Sequence, residues 1–323
     1  MNVLCWHVHG SYTTSLVQGD HRYLIPVLPD RGPDGLGRAR TWQWPPNAVE
    51  VTPDDAADAA VDVVILQRPR ELHGLAERWL GGRRPGRDVP AVYLEHSAPQ
   101  GRINRMRHPA ADRDDLVVVH VTHFNDLFWD CGSTPTTVVQ HGIIDPGEHY
   151  IGELAHAGVA INEPLRRARV TGTDLLDRVR TAAPVDLFGI GVTGLDDPAR
   201  DGLHALRSFE DLPQDRLHEE LARRRVYVHP VRWTSLGLTL LEAMHLGMPV
   251  AALATTEVVE AVPPEAGVVT TRVDTLIDGV GRLITDPEEA RRRGKAARDA
   301  ALERYGLRRF LAGWDRVLEE VTR

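Results

Sequence analysis

The stretch TSLGLTLLEAMHLGMPVAA, Thr234 to Ala252, sets a carboxylate, Glu242, about two turns into an apolar helical run, with a threonine eight residues before it. Leu236, Leu240, Leu241 and Met244 recur at helical spacing and face a core, while Gly247, Met248 and Pro249 end the helix and lead into a strand. Because the strand VYVHP precedes it, the helix is expected to start near Ser235, capped by Thr234 or Ser235, at the carboxyl end of a buried strand. Unpaired N–H groups and the positive dipole end at such a start attract an anion, and Gly237 lets backbone approach a ligand closely. Glu242 is too deep to touch a diphosphate and suits the hydroxyls of a nucleotide's ribose.

Histidines raise the question of a metal. His7 and His9 lie two apart and share one strand face, and His120 and His123 come close to another edge. Neither pair has a carboxylate or cysteine at a recognised zinc spacing, so no metal is assigned. Asp54-Asp55 and Asp114-Asp115 read as helix starts or solvent-facing turns, and nothing points to two carboxylates flanking one bond.

The elements that must position these residues follow from length and pattern. The 323 residues suit two domains, and 42% hydrophobic with 26% charged residues is a globular composition. No apolar run approaches the roughly 20 residues that cross a bilayer, and the opening MNVLCWHVHG lacks the features of a signal peptide, so a cytoplasmic protein is expected. Cys5 and Cys131 are the only cysteines and lie outside any CxxC arrangement, which speaks against disulfides and thiolate zinc. A formal charge of −8 speaks against a general nucleic-acid binder. Lys295 is the only lysine among 38 basic residues, so arginine is this chain's cation.

Strands and helices alternate in both halves, the pattern of parallel sheets covered by helices. NVLCWHV, YLIPVL, VDVVILQ, AVYLEHS, LVVVHVTH and TTVVQHG are strands of the first half; GVAINEP, VDLFGIG, VYVHP and PVAALA are strands of the second. Helices are expected over Arg70–Leu80, Phe124–Asp130, TGTDLLDRVRTAA, PQDRLHEELARRR and LGLTLLEAMHLG, and from Val273 onward almost throughout. The alternation is interrupted at Ile143–His156, which sets domains at 1–146 and 147–323 facing a cleft. Phe310, Leu311, Trp314, Val317, Leu318 and Val321 form an apolar stripe on the last helix, which is expected to cross back onto the first domain.

VYVHPVRWTSLGLTLLEAMHLGMPVAALATTEVVEAVPPEAGVV resembles the donor-binding segment of the group 1 family of retaining, nucleotide-sugar-dependent glycosyltransferases, which have the GT-B architecture. That family carries a strand ending in Pro, then Glu, seven residues, Glu, Ala-Met and a Gly-x-Pro-Val turn; LLEAMHLGMPV fits with Glu242 as the second glutamate. FEDLPQDRLHEELARRR resembles the family's preceding connector and helix. The likeness is strong over about Phe188–Thr271, weaker over Gly158–Leu176, and topological in the first half.

The resemblance implies two Rossmann-like domains and transfer of a sugar from a nucleoside-diphosphate donor to an acceptor hydroxyl with retention, without metal or bound cofactor. It implies that Glu242 holds the ribose, that Ser235, Leu236 and Gly237 lie at the donor, and that Glu260 sits near the transferred sugar. HVHGSYTTSL fits the family's loop near the diphosphate and acceptor through Gly10 and Ser11, and YLEHSAP places His96 where the family faces the sugar with histidine. ARVTGTDLL carries Thr171 where the family has lysine, so Arg166, Arg167 or Arg169 would neutralise the diphosphate, against the alternative of a solvated basic turn. Thr234 stands where the family has its first glutamate. Either the donor's sugar differs, another carboxylate such as Glu257 takes over, or transfer is lost, leaving a nucleotide-sugar-binding protein. Another enzyme on the architecture, such as an epimerase, also stays open. Expected partners are the donor and an unidentified acceptor, with no nucleic acid, no transmembrane segment, and peripheral membrane contact left open.

Overall fold

The computed structural model describes all residues 1–323. The chain divides into two compact units, Met1–Gly142 with Leu307–Arg323, and Ile143–Gly306.

Unit 1 carries β1 (Asn2–Cys5), β2 (Arg22–Pro26), β3 (Ala48–Val51), β4 (Val63–Leu66), β5 (Ala91–Glu95), β6 (Val117–His120) and β7 (Thr136–Val138). They pair in parallel in the order β3-β2-β1-β4-β5-β6-β7. Its helices are α1 (Gly10–Leu16), α2 (Pro53–Asp58), α3 (Ala76–Trp79) and α4 (His123–Phe128). Successive side chains of β1 feed opposite faces: Val3 and Cys5 enter one apolar cluster, Leu4 and Trp6 the other. This is why the strand reads as a continuous apolar run. The sixth expected strand became the seventh in the sheet, because AVEV at the edge is four residues long and was not recognised between its Pro-rich neighbours. The expected helix Arg70–Leu80 is broken at His73 and Gly74, where Gly74 takes φ +105.

Unit 2 carries β8 (Leu154–Ala160), β9 (Val185–Gly189), β10 (Leu206–Glu210), β11 (Arg224–His229), β12 (Val250–Leu253) and β13 (Gly267–Thr270). Their parallel order is β10-β9-β8-β11-β12-β13. Its helices are α5 (Pro164–Arg167), α6 (Leu176–Val179), α7 (Gln214–Arg223), α8 (Leu238–Leu246), α9 (Val258–Ala261), α10 (Val273–Thr285) and α11 (Pro287–Tyr305). One face of the sheet packs α10 and α6, the other α7, α8 and α11. TGTDLLDRVRTAA is mostly short turns with α6 at its centre, and LRSFE, which overlaps the expected connector only at Phe209 and Glu210, is the edge strand β10.

The last helix, α12 (Leu307–Val321), belongs to unit 1. Phe310, Trp314, Val317 and Leu318 of its stripe enter the core, Leu311 and Val321 pack at its margin, and Trp314 Nε1 donates to the Tyr12 hydroxyl at 2.9 Å. Both cysteines are free and buried. No helix is long and apolar enough to cross a membrane.

Candidate functional site

In each sheet the strand order reverses once, between β1 and β4 in unit 1 and between β8 and β11 in unit 2. Ligands of open parallel sheets bind outside the carboxyl ends of the strands at such a reversal, because the flanking loops part there and leave backbone groups unpaired.

In unit 2 three loops converge on that reversal. The loop after β8 contains two non-glycine residues in the left-handed region, Glu163 at φ +53 and Ala168 at φ +40. Such strain persists only where surrounding structure imposes it, and it concentrates at binding sites. Gly172 ends this loop at φ +77, and a Cβ there would stand 2.0 Å from the carbonyl oxygen of Pro230, so only glycine lets the loop pack against the exit of β11. Arg232 closes the same contact, donating to the Arg169 carbonyl at 2.8 Å and to Asp174 at 2.9 Å. The Thr255 hydroxyl donates to the Val231 carbonyl at 2.9 Å, tying the loop after β12 to the loop that bears Thr234.

α8 starts at Leu238, three residues later than expected, and Gly237 flanks it without a side-chain cap. Neither Thr234 nor Ser235 caps the helix; Thr234 is half-buried and Ser235 buried in the preceding loop. Leu236 is a core residue, 5% exposed, so its side chain packs into unit 2. Gly237 lies against the His229 ring, where a Cβ would come within 2.7 Å of Cε1. His229 is itself buried, its two ring nitrogens meet no protein partner, and burial lowers its pKa to about 4.

Glu242 is buried on α8 with its carboxylate 3.6 Å from His218 Nε2 of α7. His218 Nε2 also lies 2.8 Å from the Gln214 amide nitrogen. The buried Tyr227 of β11 shares this environment: desolvation first, and the nearby Glu242 charge second, raise its phenol pKa.

The three arginines separate. Arg166 is paired with Glu163, and the exposed Arg169 with Asp174 at 3.1 Å. Arg167 has no carboxylate within ion-pair distance, and desolvation followed by repulsion from Arg166 lowers its pKa. It is the arginine of this turn left for an anion. Thr171 is buried, its hydroxyl held by the Ala168 carbonyl and Thr173.

The structure does not bring Glu260 into this group. It is exposed on α9, and its carbonyl accepts from Arg304 of α11. Glu257, three residues earlier at the start of α9, is buried at 2% exposure directly after Thr256, whose φ is +51. The left-handed turn at Thr256 directs the chain so that the first glutamate, not the second, follows the site loop.

In unit 1, Gly10 and Ser11 open α1, both half-buried. His96 follows β5, half-buried, with Nε2 2.8 Å from Gln67 Oε1. Burial, then the neighbouring His9 and His141, hold its pKa well below the usual histidine range. The ring of His9 lies 4.1 Å from that of His96. No three His, Cys, Asp or Glu side chains are grouped to hold a metal ion.

Arg232, His218, His229 and His141 were not singled out in the sequence. The one signal for His229 and His141 is position, since the first ends a strand and the second follows one, while His218 lies within α7.

Residues 203–300 match the family model described as glycosyl transferases group 1. Those residues belong to the group 1 glycosyltransferase family. The segment runs from β10 through most of α11 and so contains the loop of Thr234, α8 with Glu242, and Glu257. No curated protein matches the chain.

Among solved structures, sucrose-phosphate synthase of Thermosynechococcus elongatus superposes with a TM-score of 0.74 at 12% identity, covering 99% of each chain. HepE of Anabaena in complex with UDP gives 0.71 at 14% identity, covering 99% of this chain and 100% of that one. A glycosyltransferase of Rickettsia africae gives 0.68 at 11%, covering 99% and 98%. At these identities the likeness is one of fold, and the fold is GT-B: two parallel α/β units with a last helix that returns to the first. Family segment and fold together support glycosyl transfer.

Proposed function

We propose that the protein transfers a sugar from a nucleoside-diphosphate donor to an acceptor hydroxyl with retention of configuration, and that unit 2 holds the donor. The observation that carries this reading is the convergence, inside the matched family segment, of a buried carboxylate on α8, a capless helix start and the strained β8 loop at one strand-order reversal. The start of α8 and the uncommitted Arg167 would take the diphosphate, supplying charge where the leaving group develops it. Glu242 would accept from the ribose hydroxyls, with His218 orienting its carboxylate.

In the reaction the bond from the anomeric carbon to the diphosphate oxygen breaks. The acceptor oxygen bonds to the same face of that carbon, and its proton passes to the departing phosphate oxygen. Position and electrostatics are the protein's contribution, and no covalent enzyme intermediate is needed. At the sugar, Thr234 offers one neutral hydrogen bond where two anionic oxygens would recognise adjacent hydroxyls. Glu257 on the adjoining loop is the carboxylate that supports an altered sugar site. The complexes of HepE with UDP and with UDP-glucose make uridine nucleotides the first to try.

The test is a thermal-shift panel of UDP, GDP, ADP and TDP with their sugars. A ligand at 100 times its dissociation constant adds about 2.7 kcal/mol of stability. Glu242→Ala is expected to weaken the preferred nucleotide more than about tenfold, since each charged hydrogen bond contributes about 1.5–3 kcal/mol. Unchanged affinity would remove Glu242 from the site. Thr234 favours one second reading, donor binding without transfer; donor consumption with and without added acceptor separates the two.

A further inference from the structure

His229 ends β11, buried at 3% exposure, and neither of its ring nitrogens meets a protein partner. The ring has a definite aim. A Cβ on Gly237 would stand 2.7 Å from His229 Cε1, 3.4 Å from Nε2 and 3.6 Å from Nδ1, so the ring edge that bears both nitrogens is turned on Gly237. Gly237 is the residue that opens α8 without a side-chain cap. A buried imidazole left in this state is costly, and a ligand at the helix start would remove the cost.

The groups packed on the ring leave its charge to be set by a ligand. On β11 the stacked Tyr227 ring lies 6.2 Å away, Ala252 is the register partner on β12, and α8 presents Gly237. The Glu242 carboxylate bears on Tyr227, whereas burial is the whole cause that lowers the His229 pKa to about 4. The ring is neutral at pH 7 for want of a counter-charge, not because a cation repels it.

The charge balance of the donor supplies that counter-charge. The diphosphate of a nucleotide sugar is a dianion. Against it stand Arg167, the arginine of its turn left without a carboxylate, and a helix start equivalent to about half a positive charge. Negative charge remains unmet, and it grows as the anomeric bond breaks, until the acceptor's proton reaches the departing oxygen. An opposite charge within about 4–6 Å moves a titration by about one to three pH units, upward for a histidine.

We propose that His229 is a further residue of the donor site: neutral before the donor binds, it takes up a proton from solvent as the diphosphate settles at the start of α8, and its ring edge then faces the diphosphate as a cation. The inference rests on the glycosyl-transfer reading and adds that donor binding is coupled to protonation of one named group. The sign follows from linkage. A ring charged in the complex and neutral in the free protein makes binding tighten as pH falls between the two titrations. With the ring's titration raised by about two pH units in the complex, affinity at pH 5 is about tenfold that at pH 8.

The experiment titrates the full chain with UDP-glucose, GDP-glucose, ADP-glucose and TDP-glucose, whose esterified phosphates hold a constant charge over that range. Calorimetry of the tightest binder in two buffers of different ionisation enthalpy is expected to show uptake approaching about one proton per site near pH 5 and almost none at pH 8. Ring-nitrogen resonances, with His229 assigned by its loss in His229→Gln, are expected to report a charged ring near pH 5 in the complex alone. His229→Gln cannot take the proton; it is expected to abolish the uptake, flatten the pH dependence and keep affinity at pH 8 within about threefold. His218, beside Glu242, is the other histidine that donor binding could titrate. Uptake that persists in His229→Gln belongs to such a group and overturns the proposal. Affinity independent of pH in the unaltered chain, with no uptake, overturns it without need of a variant, while the donor reading stands. If no nucleotide sugar binds at any pH, the donor reading fails and the inference with it.

Discussion

Gly172→Ala isolates the contact that joins two loops of the unit 2 site. At φ +77 an alanine costs about 1–2 kcal/mol from the left-handed backbone alone. The new Cβ would also stand 2.0 Å from the backbone oxygen of Pro230, which no side-chain rotation relieves. Forced repacking of this kind costs about 1–3 kcal/mol further. Gly194→Ala is the control, because Gly194 has a similar φ of +81 and nothing within 4 Å of the added carbon. The expected difference between the two variants is therefore about 1–3 kcal/mol, or about 2–12 °C in the midpoint of a domain of this size. Thermal unfolding followed in the unit 2 transition reads it, because a chain of two units need not unfold in one step. Nucleotide affinity should fall with Gly172→Ala and not with Gly194→Ala, since the loop of Arg167 moves only in the first. Equal midpoints for the two variants would refute the close approach at Pro230 and the loop assembly built on it.

Three further outcomes are expected. Asp186, fully buried, receives two bonds from Arg207 at 2.9 Å, one from Arg224 at 2.7 Å, and lies 3.0 Å from His156 Nδ1; Arg224 also keeps Glu220, so Asp186→Asn should cost about 1.5–3 kcal/mol by weakening charged hydrogen bonds, read as a lower urea midpoint. Glu210 accepts from the Gly191, Val192 and Thr193 N–H groups and the Thr193 hydroxyl, bonds that hold its carboxyl at about 2 against an ordinary 4.5. Its contribution is thus complete above about pH 4.5 and lost as pH falls through about 2, so the stability gap between wild type and Glu210→Gln should be constant from pH 7 to about 5 and close at lower pH; a gap that widens on acidification contradicts this. Donor turnover should survive exhaustive EDTA treatment, because no set of side chains is grouped to ligate a metal; loss restored by Mn²⁺ or Mg²⁺ would overturn that.

The sequence by itself determined what depends on neighbours along the chain. Apolar runs such as VVIL and VYVH mark strands buried on both faces, and the stripe of Phe310, Trp314, Val317 and Leu318 marks the helix that joins unit 1. The Leu-Leu-Glu-Ala-Met helix and its Gly-Met-Pro turn are local too, so α8 and Glu242 were legible. Tertiary structure alone decided which polar groups keep their charge free. Arg166, Arg167 and Arg169 are alike in sequence, yet Glu163 and Asp174 claim two of them through the path of one loop. Glu257 and Glu260 lie within one helical turn, and a left-handed residue at Thr256 leaves the first buried and the second exposed. His9, His96 and His141 lie more than forty residues apart and meet because β1, β5 and β7 run parallel in one sheet, so their carboxyl ends share an edge. Periodicity reports which face of an element is buried; it holds no record of which loops the strand order brings together.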